Sequence, residues 1–169
     1  MRIAVVTNAY PPEAKGGAGR IAELQVEGLR AQGHEVRVWH LSIVWTARPL
    51  CIRLLYHVRD LVAVHPVIHE LRAWNPDRLI THNLTGIGFR VPSMVGVPWV
   101  HVLHDVQLFE PSGQIFDWSR VTFWQKLWSS LRRLALGAPT MVLSPTQALL
   151  DAHRTRGFFQ GTKTIILPN

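Results

Sequence analysis

Cysteine is almost absent: Cys51 stands alone among 169 residues. That excludes an intramolecular disulfide framework and a multi-cysteine zinc site, and it fits a reducing compartment. Long apolar runs are missing too, none approaching the roughly 20 residues that cross a bilayer. The first apolar run, Ile3 to Val6, meets polar Thr7 and Asn8 at once and has no signal-peptide pattern. The chain is therefore expected in the cytoplasm and not integral to a membrane. Acidic residues are outnumbered, 11 against 18 basic ones, for a net charge of +7. Lysine is scarce within the basic set, where arginine supplies fifteen, a composition suited to bidentate contact with phosphates. No zinc-finger spacing, RNP-like aromatic strand or basic zipper organises these charges, so nucleic acid is not an expected partner.

With 47% hydrophobic residues the chain can bury one full core without staples. A buried strand, Arg2 to Thr7, leads through a loop holding Tyr10, Lys15, Gly16, Gly17 and Gly19 into a helix expected over Arg20 to Gln32 and stopped at Gly33. Bare amides at such a helix start suit an oxyanion, and glycine lets the ligand approach. Gly17, Gly19 and Ala22 can be laid on the G-x-G-x-x-G/A dinucleotide fingerprint. The fit is poor, because that fingerprint wants its glycines directly after the strand and an acidic residue about 20 positions on. Here nine residues separate Thr7 from Gly17, and the second strand ends at Trp39-His40. A nicotinamide or flavin cofactor is disfavoured, and a dehydrogenase or epimerase module would also need a Tyr-x-x-x-Lys that is not present.

Further strands are expected at His34 to His40, Arg78 to His82, Pro98 to His104, Thr140 to Leu143 and Lys163 to Leu167, separated by helical stretches. A short one runs from Gly86 to Val95 and a longer one from Arg120 to Leu136. Ser144 followed by Pro145 and Gln147 reads as a capped helix start. Six apolar strands alternating with helices predict a doubly wound, mainly parallel Rossmann-like α/β sheet covered on both faces. The common strand order 3-2-1-4-5-6 would set the first and fourth strands side by side, placing the glycine loop next to His104 and Asp105.

In chain order, the sequence carries Tyr10-Pro11-Pro12 with Gly16-Gly17, then Gly33-His34-Glu35-Val36, His82-Asn83, His104-Asp105, Ser144, and Lys163-Thr164 to Pro168-Asn169. Together, and in this order, they resemble the N-terminal domain of family 4 glycosyltransferases, retaining enzymes of the two-domain GT-B fold. The resemblance spans the whole chain. It implies transfer of a sugar from a nucleotide-sugar donor to a glycan or lipid-linked acceptor with retained anomeric configuration. No metal or other cofactor is expected, and no Asp-x-Asp motif is present. The Gly16-Gly17 amides would face the donor diphosphate, where a helix N-terminus stabilises the charge built by its departure. His104, with Asp105 beside it, would line the reaction centre. Asn83 after His82 either joins that site or caps a turn, and Lys15 and Arg20 either meet an anionic acceptor or are plain surface.

The family continues into a linker and a second domain where this chain ends. The expectation is a single Rossmann-like, acceptor-side domain over 1–169, inactive without a donor-binding domain or a partner chain. A rival reading is a noncatalytic or membrane-recruiting subunit. The Arg120 to Leu134 segment bears on it, because Trp124 and Trp128 lie at helical spacing with leucines, and Lys126, Arg132 and Arg133 are interspersed. Such a helix either packs its stripe on the sheet or lies on an anionic membrane surface, which would make the protein peripheral on the inner face.

Overall fold

A computed structural model describes residues 1–13, 16–41, 49–63, 65–110 and 121–168, with the side chains of Leu50 and Arg53 outside that description. Lys15, Arg120 and the variable stretch 42–48 lie outside the described residues. The elements run β1 (Arg2–Thr7), α1 (Gly17–Ala31), β2 (Glu35–His40), α2 (Leu50–Arg59), α3 (Val67–Trp74), β3 (Arg78–Thr81), α4 (Val91–Val95), β4 (Trp99–Val102), α5 (Phe123–Leu136), β5 (Met141–Ser144), α6 (Gln147–Arg154) and β6 (Lys163–Ile166). All six expected strands form, every pair is parallel, and the architecture is the Rossmann-like α/β one read from the sequence.

The strand order differs from the common one. It is β2-β1-β3-β4-β5-β6, so β3 and not β4 lies beside β1. The reason lies in the connection from β2: it carries two helices, α2 and α3, and crosses over β1 before β3 enters the sheet. Right-handed crossovers then fix the layers. The step from β1 to β2 runs one way and puts α1 on one face. Every later step runs the other way and puts its helix on the opposite face.

Side-chain alternation along β1 follows that division. Ile3 and Val5 pack with Val26 of α1 and Val36 of β2. Ala4 and Val6 face the larger core, with Ile68 and Leu71 of α3, Leu79, Phe89, Leu136 and Leu150. Each fully buried leucine there stabilises the fold by roughly 1.5–3 kcal/mol relative to leaving it exposed. On the α1 face α1 is the only described helix, and β6 forms a largely exposed edge.

Several ends shift for local reasons. Asn75 takes the left-handed conformation (φ 51°) that stops α3 before Pro76. The 86–95 stretch is helical only from Val91. Ser144 is not the cap of α6: it ends β5, and its hydroxyl donates to the Thr146 carbonyl at 2.8 Å. Thr146 is the N-cap, its Oγ1 accepting from the Leu149 amide at 3.1 Å.

Candidate active site

The carboxyl ends of the strands carry the polar groups. Thr7 ends β1 and Asn8 follows it, His82-Asn83 follows β3 and His104-Asp105 lies just beyond β4. Because β3 sits centrally, its two residues stand between the other two loops. The Asn8 amide donates to the Asn83 carbonyl at 2.8 Å, and Asn8 Nδ2 donates to the Thr85 carbonyl at 3.3 Å. On the other side Asn83 Nδ2 donates to Asp105 Oδ2 at 3.0 Å. Asp105 Oδ1 accepts the Gln107 amide at 2.8 Å, so both carboxylate oxygens are engaged and the turn after β4 is closed. Burial pushes the Asp105 carboxyl above its ordinary range, against the opposing pull of the Gln107 amide, Asn83 and the charge of Arg132.

His82 is fully buried and His104 half-buried. His82 Nδ1 lies 2.7 Å from His104 Nε2, the rings are 18° from coplanar, and their centroids are 5.0 Å apart. That separation is the N···N distance plus the two ring radii, so the nitrogens lie on the line joining the rings. This is an in-line N–H···N hydrogen bond and not a face-to-face stack. Desolvation lowers the His104 pKa to about 4 and the His82 pKa well below the histidine range, with the neighbouring His104 and His101 adding to the latter. Both rings are neutral at neutral pH.

The strand order puts β3 between β1 and β4, so the expected pairing of the first and fourth strands does not form. The helix α1 nevertheless reaches the end of β4, its Ile21, Leu24 and Gln25 lining one cavity with Val102 and Leu103. Gly16 is the N-cap of α1, with no side-chain cap bond and no acidic residue in the first turn. Among the described residues a Cβ built on Gly16 or Gly17 would meet nothing within 4 Å, and neither glycine has a positive φ. Neither the packing of the described residues nor the backbone conformation therefore requires these glycines. Gly19 differs: it is buried with Ala22 and Val26 on the helix face that packs on the sheet. Arg20 is exposed and paired with Glu23. Tyr10 packs against the His40 ring at 5.5 Å and lines an open groove of about 720 Å³ along β2 with Trp39 and Trp74.

In α5 the candidates divide. Trp124 is 73% exposed, and Lys126 and Arg133 are exposed as well. Trp128 is half-buried. Arg132, expected at the surface, is completely buried, because it shares the inward stripe of Ser129, Ala135 and Leu136. Its guanidinium lies between the Phe89 and Trp128 rings at 4.7 and 4.6 Å and contacts His57 Nδ1 of α2 at 2.7 Å. Desolvation lowers its pKa to about 9, opposed by Asp60, Asp105 and Glu110.

Asp60 completes this layer. It accepts from the Gly86 amide and from Arg59, whose Nη2 is 2.8 Å away and also donates to the Gly86 carbonyl at 2.6 Å. The loop after β3 is thereby pinned from below. Sequence pattern alone does not single out Asn8, His57 or Asp60 as site residues. The one visible signal was a single aspartate closing an arginine-rich apolar helix. Among the described residues no three of His, Cys, Asp and Glu cluster to hold a metal ion.

Residues 15–169 match the family described as Glycosyltransferase Family 4. The chain belongs to that family. No curated protein matches the sequence. Among solved structures the chain is similar to the spinosyn rhamnosyltransferase SpnG complexed with thymidine diphosphate, at 18% identity and a TM-score of 0.48, with 86% of this chain and 45% of that one covered. It is also similar to the glycosyltransferase SnogD from Streptomyces nogalater, at 16% identity and a TM-score of 0.48, with 99% and 44% covered. This family 4 domain thus spans less than half the length of those two chains.

Proposed function

We propose that this family 4 domain is the acceptor-side half of a retaining GT-B glycosyltransferase. It would use a nucleotide-sugar, hold a glycan or lipid-linked acceptor and need no metal. The donor nucleotide would be bound mainly by a further domain or a partner chain. The observation that carries the reading is the combination of uncapped amides at Gly16-Gly17 and a neutral His104 at the same carboxyl edge of the sheet. Oriented amides stabilise a departing diphosphate without reorganising, and a neutral imidazole hydrogen-bonds a sugar or acceptor oxygen. His104 is the residue assigned to the ligand, and Asp105, with both oxygens engaged, holds Asn83 and the turn. Titrating the labelled chain with a panel of nucleoside diphosphates and nucleotide-sugars should perturb amides at Gly16, Gly17 and His104 in NMR spectra. Saturating additions that leave all three unmoved would overturn the reading, as would ordinary sugar-transfer rates from the 169-residue chain alone.

A second reading, a membrane-facing surface, is favoured by the exposed faces of α2 and α5. Trp124 stands beside Phe123, and Leu127, Leu131 and Leu134 continue along α5. Leu54, Leu55 and Val58 are exposed on α2, which the Arg132–His57 contact ties to α5. Neither helix contains an acidic residue. Exposed apolar side chains with basic residues fit an anionic lipid interface, and no described helix is long and apolar enough to cross a membrane. The chain should cosediment with anionic vesicles more than with neutral ones. Equal, negligible binding to both would remove this reading.

A further inference from the structure

The His82–His104 pair has more to say than that both rings are neutral. Two neutral imidazoles carry two N–H protons on four nitrogens. A 2.7 Å in-line contact needs one proton between the facing nitrogens, since two would clash and none would leave lone pairs opposed. Two arrangements remain. In the first, His104 Nε2–H donates to His82 Nδ1, and the His82 proton must sit on Nε2. That atom is buried and has no partner among the described residues, so this arrangement buries an orphan N–H. In the second, His82 Nδ1–H donates to His104 Nε2. The buried His82 Nε2 then holds only a lone pair, and the His104 proton moves to Nδ1. Orphan buried N–H groups are rarer in native structures than under-satisfied acceptors, so the second arrangement is favoured.

We infer that His82 is a positioning residue that fixes the tautomer of His104, so that His104 meets its ligand as an N–H donor through Nδ1 and not as a base. Among the described residues nothing hydrogen-bonds His104 Nδ1, which leaves that donor for a ligand. The complementary ligand atom is an oxygen bearing a lone pair, from a sugar hydroxyl or from a phosphate. His82 is suited to the task because its own ring is held: it is fully buried, and its amide donates to the Val6 carbonyl at 2.9 Å as the chain leaves β3. The same logic governs metal-ligating histidines, where the bond made by one ring nitrogen decides the state of the other.

That His104 has a sugar or phosphate ligand rests on the glycosyltransferase reading; the tautomer does not, and it is measured without substrate. Two-bond ¹H–¹⁵N correlation spectra of the ¹⁵N-labelled 169-residue chain at pH 7 separate protonated from bare ring nitrogens, with His104→Gln and His82→Asn assigning the signals. The expected pattern is Nδ1–H with bare Nε2 on both rings. A His104 that carries its proton on Nε2 overturns the inference. His82→Leu removes the donor, and His104 should then lose Nδ1–H as its dominant form. His82→Asn, whose amide can occupy the Nδ1 position, should restore it. A folded His82→Leu chain that keeps the wild-type His104 pattern also overturns the inference, and if that variant does not fold, the wild-type spectrum decides. Failure of every nucleotide-sugar to bind would count against the glycosyltransferase reading and leave the tautomer assignment standing.

Discussion

Acid should destabilise this domain at a pH where its carboxylates are still mostly ionised, because its buried histidines resist protonation. His101 is 2% exposed and His153 fully buried. Burial lowers the first to about 3, with the charges of His153 and His104 adding, and the second to about 4, partly opposed by its bond to the Leu149 carbonyl. In the unfolded chain both return to about 6.5. Between those limits the unfolded state binds more protons than the native one, so stability is fully present above about pH 6.5 and is lost as the pH falls toward 4. Taking the sample from pH 7 to pH 5 should cost about 2 kcal/mol for each residue, or about 4 kcal/mol for the pair, a large share of the ~5–15 kcal/mol that holds a domain together. For a chain of this size that lowers Tm by about 10 °C. His82 and His104 act in the same direction. Asp60 and Asp105, both raised, act in the opposite one. Scanning calorimetry from pH 7 to 5 measures the slope. His101→Asn, which keeps a donor for Thr81 Oγ1, should flatten it by about one proton, near 1.4 kcal/mol per pH unit. A Tm that does not change over that range, or an unchanged slope in the variant, would refute the assignment of buried neutral histidines.

Other perturbations separate function from packing. Gly17→Ala places a methyl clear of the described residues at a helix start, so Tm should hold or rise slightly, by up to about 1 kcal/mol in stability, while diphosphate-induced NMR shifts at Gly16 and Gly17 shrink; unchanged shifts would show that the glycine serves no ligand. Arg132→Ala should cost at least about 3 kcal/mol in urea unfolding, because it empties a stacked, buried position and strips Asp60 and Asp105 of compensating charge. Arg133→Ala should cost under about 1 kcal/mol, being an exposed side chain bonded to the Gly157 carbonyl and Ser130. Equal losses would mean that the two arginines do not divide between core and surface. Trp124→Ala with Leu55→Ala should weaken sedimentation with anionic vesicles by severalfold and leave Tm within about 1 kcal/mol, and retained binding would take the α2–α5 face out of consideration.

Strand existence was legible because parallel strands buried on both faces read as short apolar runs bounded by turn signals, and all six runs form strands. Strand order was not. It depends on whether the connection after His40 passes over β1, and nothing local records that. The same blindness touched α5. Its periodicity showed a stripe of tryptophan and leucine, but the stripe that packs inward is Ser129, Arg132, Ala135 and Leu136. An arginine reads as surface until the two rings that sandwich it are known to be near, and Phe89 is 43 positions away in sequence. Ser144 misled for a smaller reason: Ser-Pro and Thr-Gln sit side by side, and either hydroxyl could have capped the helix.

The insertion of β3 beside β1 changes what the candidate site can be. Had β4 taken that place, His104 would have had no histidine of a β3 loop beside it, and its chemistry would have been set by solvent and ligand alone. With β3 beside β4, the imidazole of His104 leans on a buried neighbour whose protonation is dictated by the core. Asn83, which sequence alone could read as a turn residue, becomes the bridge between the β1 and β4 loops through Asn8 and Asp105. A site whose donor is preset in this way needs no reorganisation when a ligand arrives, which is the property that electrostatic catalysis uses. It also ties function to the fold: the low dielectric that keeps His82 neutral and buried, and so sets its neighbour, is the same one that makes the domain acid-labile.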